Sequence, residues 1–321
     1  MSEPVRLRLL FIGTDSPFAL VHLQALAERH EVVAILQSVR RLKGLTWVVN
    51  RLGPSRLRHF ARQRGIPFEM ADRRRLYVVD ALCARYRPDI GCIASMAGLM
   101  PAEMLDRLPL GFVNVHPAKL PEWRGPYPVF WQLLEGRDRI GVTVHRLAPG
   151  EDDGPILRQG DVPVRPGEGH GKLMVEVARQ GADLLTLALD EIAAGTERCI
   201  PQPLASPTPR ARKVGPRDVH LLFRPDLPIE RCASLMAALG GLVVFPWPRL
   251  RDLGWLAQAT GRWRDHAGAS PRAGTIGRNG RRWFLAHPAG QIDLVRSFQP
   301  RRWVEALRSC RKAGLGWMDL L

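Results

Sequence analysis

Two short segments of this chain hold side chains able to do polar chemistry together. In Gly-Phe-Val-Asn-Val-His-Pro, residues 111–117, Asn114 and His116 stand two positions apart on an expected strand. Side chains at i and i+2 face the same side of a strand, so an amide and an imidazole lie side by side. Val113 and Val115 face the other way, toward a core. Pro117 ends the strand just after the pair, and in open α/β sheets ligands bind beyond that end. The second segment is Leu-Ala-Pro-Gly-Glu-Asp-Asp-Gly-Pro-Ile-Leu, residues 147–157, where Asp152 and Asp153 lie between Gly150 and Gly154. Glycines there permit an unusual loop path and close approach to a ligand. A carboxylate that reached His116 would orient its ring. Each motif alone is a common structural feature; order and spacing give the pair its specificity.

The elements that must position these residues are legible as alternating strands and helices over residues 1–195. Apolar runs at Leu7–Ile12, Val32–Leu36, Ile66–Phe68, Ile90–Ala94 and Phe112–His116 fit strands buried on both faces of a parallel sheet. Two further strands are expected at Ile140–His145 and Ile156–Val164. Pro17 opens a helix, as proline suits a first turn. Its apolar stripe includes Phe18, Val21 and Leu23. Further helices are expected near 54–64, 76–86, 127–135 and 171–194. The fold class that follows is α/β, a doubly wound, mostly parallel sheet. Segment 38–52 is basic and irregular. Residues 196–215 are rich in Pro, Ser, Thr and Arg and read as a linker. Beyond them, residues 216–321 read as a smaller β-rich C-terminal domain, for which a barrel is one arrangement. It has a helix near 228–239, an Asn279–Gly280 hairpin signal and a helix near 300–313.

Composition bounds the rest. The five cysteines, Cys83, Cys92, Cys199, Cys232 and Cys310, are odd in number and lack CxxC spacing. This argues against a disulfide framework or a zinc site, and a reducing cytoplasm is the expected compartment. No apolar run reaches the length of a membrane span, and no metal ligand cluster is evident. The formal charge of +16 is uneven: residues 1–200 hold 27 Lys+Arg against 23 Asp+Glu, and residues 201–321 hold 20 against 8. A basic domain beside a near-neutral one fits a polyanionic partner such as RNA. Arg outnumbers Lys by 42 to 5, which fits equally well with a general preference for arginine codons.

The run Asn-Val-His-Pro-Ala-Lys-Leu-Pro-Glu-Trp-Arg-Gly, 114–125, resembles the Asn-x-His…Leu-Pro-x-x-Arg-Gly signature of the folate-dependent formyltransferases. That family includes methionyl-tRNA, glycinamide ribonucleotide and sugar N-formyltransferases. Residues 141–157 resemble the family's Gly-Val-Thr…Asp-x-Gly-x-Ile-Leu segment. The opening Leu-Leu-Phe-Ile-Gly-Thr-Asp-Ser-Pro-Phe resembles the N-terminal strand–loop–helix of the methionyl-tRNA enzymes. The resemblance covers about residues 6–195. It implies that Asn114, His116 and Asp152 form the catalytic triad; Asp152 keeps the spacing to Gly150 and Gly154, with Asp153 the alternative. It implies 10-formyltetrahydrofolate as formyl donor, its pterin held by backbone groups of Ala97, Gly98 and Leu99. Arg124, in the Leu-Pro-x-x-Arg-Gly element, could steady the loop, meet an anionic acceptor or form a surface ion pair. The histidines other than His116, among them His145, match no catalytic position and are taken as structural.

Some features depart from the family. The insert after the second strand of the methionyl-tRNA enzymes, Pro-Ala-Gly-Arg-Gly-Lys-Lys in type, is replaced by Leu-Gln-Ser-Val-Arg-Arg-Leu-Lys. Tyr127–Trp131 stands where an Ala-Pro-Ile-Gln type segment is usual, and Trp131 there is closer to the sugar N-formyltransferases. These changes leave donor and reaction intact and bear on the acceptor. Domain layout and charge favour methionyl-initiator tRNA, and a small amine such as an amino sugar is the alternative. Two further rivals are a hydrolase releasing formate, disfavoured because the catalytic domain starts near Met1, and a non-catalytic RNA-binding relative. A nicotinamide dehydrogenase is disfavoured because the first strand ends in Gly-Thr-Asp-Ser-Pro-Phe, without GxGxxG.

Overall fold

A computed structural model describes residues 5–39, 53–72, 75, 77–96, 98–165, 168, 170–214, 223–239, 245–246, 255–266 and 271–298. The expected helix near 300–313, Ala97 and most of the basic segment 38–52 lie outside these residues. The chain divides into two compact units. One comprises Met1–Pro128, Arg139–Val162 and Met174–Arg210; the other comprises Val129–Asp138, Pro163–Leu173 and Ala211–Leu321. The segment expected to be a linker, 196–215, therefore belongs to the first unit as far as Arg210.

The first unit is built on a seven-stranded sheet. Its strands are β1 (Arg8–Gly13), β2 (Glu31–Ser38), β3 (Phe68–Ala71), β4 (Ile90–Ala94), β5 (Phe112–His116), β6 (Arg139–Arg146) and β7 (Ile156–Pro163). Their order is β3-β2-β1-β4-β5-β6-β7. The β1–β2, β2–β3, β1–β4 and β4–β5 ladders are parallel, and β6 runs antiparallel to β5. The chain winds outward from β1 through β2 to β3, then returns to β4 on the other side of β1. The order thus reverses between β1 and β4, and the crevice beyond that point is where such sheets take ligands.

Helix α1 (Pro17–Arg29) begins where the sequence places it: the Ser16 side chain accepts from the Ala19 amide, and Pro17 occupies the first turn. Helix α2 (Arg56–Arg64) starts at Ser55 in the same way and stops at Gly65, at φ +65°. The Ile66 amide bonds back to Ala61, so Ile66 and Pro67 finish the cap, and the ladder to β2 begins at Phe68. This displaces β3 from its expected Ile66–Phe68 position. Helix α3 (Tyr77–Tyr86) and a short 3₁₀ turn at Ala102–Arg107 help bury one apolar cluster that includes Leu10, Ile12, Ile93 and Phe112. On the other face, α5 (His170–Ala194) lies against β5 and α1. A Cβ on Gly181 would meet Val115 at 2.8 Å and His22 at 2.7 Å. Val115 thus points to α5, which leaves Asn114 and His116 on the opposite face.

In the second unit, β8 (Phe245–Pro246), β9 (Trp255–Arg264), β10 (Ile276–Asn279), β11 (Arg282–His287) and β12 (Gly290–Phe298) form a sheet of order β10-β11-β12-β9-β8 with antiparallel ladders. The Asn279–Gly280 turn joins β10 to β11, with Gly280 at φ +57°. Helix α6 (Ile229–Leu239) covers one face through Ile229, Cys232, Ala233 and Met236, packed on Leu285, Ile292 and Leu294. Helix α4 (Pro128–Leu134) carries Trp131, whose indole N–H donates to the Arg212 carbonyl while the Arg212 guanidinium lies 4.9 Å from its ring.

Candidate active site

Strand β5 delivers Asn114 and His116 to its carboxyl end, and the antiparallel register with β6 pairs Asn114 with His145 and His116 with Thr143. Residues paired across a ladder share a face, so four polar side chains converge. Thr143 seats the chain beyond β5: its hydroxyl donates to the Ala118 carbonyl at 2.7 Å and accepts from the Leu120 amide at 3.1 Å. The same turn crosses β6 at Gly141, where a Cβ would meet the Lys119 amide nitrogen at 2.3 Å. The chain then returns over His116, and the Trp123 carbonyl lies 3.0 Å from His116 Nε2. A carbonyl can only accept, so Nε2 carries the proton.

The loop after β6 brings the carboxylate. Asp152 Oδ2 lies 3.5 Å from His116 Nδ1 and accepts from the Gly125 amide at 2.9 Å. Both ring nitrogens of His116 therefore face oxygen. Asp152 sits at φ +52°, a left-handed conformation that L side chains resist. Asp153 makes no such contact; its Oδ1 is buried without a hydrogen-bond partner among the described residues. Of the two acids, Asp152 is the one whose carboxylate faces His116.

His145, assigned to a structural role from sequence, lies inside this cluster. Its Nδ1 donates to the Arg146 carbonyl at 2.9 Å, which leaves Nε2 as an acceptor 3.1 Å from Asn114 Nδ2. Asp152 Oδ1 stands 3.7 Å from the same Nε2. Burial pushes the His145 pKa down from 6.5 to about 4; Asp152 acts in the opposite sense and His116 in the same one. At neutral pH the ring is uncharged, and its lone pair fixes which end of the Asn114 carboxamide is nitrogen. One Asn114 N–H is thus held by His145 and the second remains to serve a ligand.

The loop expected to contact the donor follows β4. Gly98 and Leu99 lie just past the β4 end, beside the reversal of strand order, and Leu99 is 58% exposed. The Thr14 amide bonds the Ser95 carbonyl at 2.8 Å, and the two hydroxyls meet at 2.7 Å, tying the loops after β1 and β4 together. Ala97 is outside the described residues. Arg124 turns inward, not to solvent; its guanidinium binds Gln202 and the carbonyls of Pro203 and Leu204. Among the described residues no group of three or more His, Cys, Asp or Glu could hold a metal ion, and no helix is long and apolar enough to cross a membrane.

Sheet order and cluster define a doubly wound α/β protein with a polar site beyond the carboxyl ends of its strands. Within that class, the family model described as formyl transferase matches residues 6–189, and the chain belongs to that family. It is 35% identical over 197 residues to a methionyl-tRNA formyltransferase of Chloroflexus aurantiacus, covering 61% of this chain and 62% of that protein. It is 33% identical over 248 residues to a methionyl-tRNA formyltransferase of Roseiflexus, covering 75% of this chain and 71% of the other. The chain thus spans less than two thirds of the Chloroflexus relative. Among solved structures it resembles the N-formyltransferase of Helicobacter canadensis in complex with folinic acid and dTDP-3-aminofucose. The TM-score is 0.59, with 13% identity and 90% and 98% of the two chains covered, a likeness of fold.

Proposed function

We propose that this protein transfers a formyl group from 10-formyltetrahydrofolate to an amine, and that the amine is that of methionyl-initiator tRNA. The observation that carries the reaction is the Asn114–His116–Asp152 cluster, in which the carboxylate faces the His116 imidazole and His145 orients the Asn114 amide. The donor is consumed as a substrate and supplies an activated formyl carbon. Gly98 and Leu99, with the exposed Leu99 side chain, are suited to take its ring at the strand reversal.

The chain's own residues then divide the work. When an amine adds to a formyl carbon, negative charge grows on the carbonyl oxygen. The free N–H of Asn114 is placed to donate to that oxygen without reorganising. His116 Nε2–H, engaged with the Trp123 carbonyl, is the second donor and turns from that carbonyl to the substrate. It can give its proton to the leaving nitrogen and recover one from the attacking amine. Asp152 faces Nδ1 and accepts from it whenever that nitrogen also carries a proton, as it does while the ring holds the proton it takes from the amine. Losing the Asn114 donor removes an interaction made mainly in the transition state, so Asn114→Ala should lower kcat by roughly 10²–10³-fold.

Two observations support the tRNA acceptor: the methionyl-tRNA formyltransferases among the relatives, and the excess of 20 Lys+Arg over 8 Asp+Glu beyond residue 200, which suits phosphate contacts. Replacement of the usual insert and the presence of Trp131 favour a small amine instead. The test follows tetrahydrofolate release from 10-formyltetrahydrofolate with methionyl-initiator tRNA, with a panel of amino sugars, and with no acceptor, beside a His116→Ala variant. Turnover confined to charged tRNA is the expected result. Turnover with a small amine would reassign the acceptor, and release without acceptor would make the protein a hydrolase. Equal inactivity of wild type and variant would overturn the catalytic assignment in favour of a non-catalytic RNA-binding relative.

A further inference from the structure

The segment that looks like a tether in the sequence is bonded to both loops of the site. Ile200 exchanges two backbone hydrogen bonds with Ile156, each of 2.8 Å. The Ser206 hydroxyl donates to the Pro121 carbonyl at 2.8 Å, and the Thr208 hydroxyl accepts from the Trp123 amide at 2.6 Å. Arg210 pairs with Glu151. At the centre is Gln202. Its Oε1 accepts from Arg124 Nη2 at 2.9 Å and from Nε at 3.3 Å. Its Nε2 donates to the carbonyls of Asp152 at 3.0 Å and Gly154 at 2.6 Å. Arg124 is only 9% exposed. A buried guanidinium demands acceptors, so it dictates which end of the Gln202 carboxamide is oxygen and thereby aims the N–H groups at the Asp152 loop.

We infer that Gln202 is a positioning residue for Asp152. Its kinetic consequence rests on the formyl-transfer reading above; its geometric consequence does not. Asp152 is held in a left-handed conformation, which needs outside support. Gln202 clamps the carbonyl of Asp152 itself and the one two residues on. With the main chain fixed there, Oδ2 reaches both the Gly125 amide and His116. Remove the donor and the loop relaxes, taking the carboxylate away from the ring.

Two full-length variants separate this role from simple packing. Gln202→Glu keeps an acceptor for Arg124 and loses the donor; Gln202→Met keeps the length and loses both. Donor-based positioning lowers kcat about 10²-fold in both variants, with KM for donor and acceptor changing by less than about threefold. Amide hydrogen exchange is the second readout. Gly125 N–H, which depends on Asp152 Oδ2, should exchange faster in both variants, and Ile200 N–H, bonded to Ile156, should stay protected. Unchanged kcat and unchanged Gly125 protection in Gln202→Met would overturn the inference. So would a Gln202→Glu variant that behaves as wild type while Gln202→Met fails, since the role would then be to satisfy Arg124. Loss of protection at Gly125 and Ile200 together would reduce Gln202 to holding the strap in place, and overturn it too. If wild type transfers no formyl group to any acceptor, the formyl-transfer reading fails, and Gly125 exchange still decides whether Gln202 holds Asp152.

Discussion

His145 shows what a neutral imidazole can do for a neighbour. With its pKa pushed down to about 4 by burial, it keeps a lone pair on Nε2 across the working pH range and accepts from Asn114. His145→Ala should free the Asn114 carboxamide to rotate and lower kcat by about 10–10²-fold, less than loss of the Asn114 donor itself. His145→Gln, whose amide oxygen can accept in place of Nε2, should recover part of the rate; steady-state kinetics of the two variants checks both statements. Equal activity of His145→Ala and wild type would confine the residue to packing. Asn114 and His116 were legible in the sequence because strand alternation puts i and i+2 on one face. His145 was not, because its place depends on the antiparallel ladder that pairs it with Asn114, and alternation within a strand says nothing of its partner. Spacing could not separate Asp152 from Asp153 decisively. The structure turns the Asp152 carboxylate to His116 at a positive φ, whereas Asp153 Oδ1 has no hydrogen-bond partner among the described residues.

Whole elements were easier to read than their pairings. The β4 bounds, Ile90–Ala94, agree with a short apolar run because a strand buried on both faces favours apolar residues throughout, and β5, Phe112–His116, keeps its bounds because Gly111 and Pro117 flank it, although Asn114 and His116 make one of its faces polar. The direction of β6 left no such mark, and the segment 196–210 was disguised by its Pro and Ser content, since apart from the Ile200–Ile156 bridge its bonds are made by side chains and follow no period. Glycine at 154 belongs to this scale. A Cβ there would stand 1.9 Å from the Arg146 carbonyl oxygen, where backbone on both sides cannot give way. Gly154→Ala should therefore destabilise the fold by roughly 1–3 kcal/mol and lower kcat by shifting Asp152 two residues away. Gly171→Ala is the control: nothing lies within 4 Å of a Cβ at that helical position. It should leave kcat unchanged and the denaturation midpoint equal or higher. Urea titration with kinetics on the two variants distinguishes a tight contact from a general effect of adding a methyl group.

At the scale of the whole molecule, buried histidines tie stability to pH. His22, between α1 and α5, and His145, in the site, are both held down at about 4 from an ordinary 6.5, in each case chiefly by burial. His30 shifts in the same direction. Unfolding exposes these rings, and the unfolded chain takes up protons first as pH falls. The contribution of His22 and His145 is thus fully present above about pH 6.5 and is lost as pH falls toward about 4. Within that window each adds a slope of up to about 1.4 kcal/mol per pH unit, which is a large fraction of the stability of many domains. The chain, already at a formal +16 at pH 7, gains further positive charge as it acidifies, which adds self-repulsion of the same sign. His22→Leu separates the local term from the global one. It removes a titrating group whose Nε2 has no hydrogen-bond partner among the described residues, while leaving the site untouched. Urea unfolding at a series of pH values between 7 and 4.5 should give a steeper loss of stability for wild type than for His22→Leu. The difference in slope should approach about 1.4 kcal/mol per pH unit. Parallel lines would mean that His22 protonates as readily folded as unfolded, and that acid sensitivity comes from charge repulsion spread over the chain.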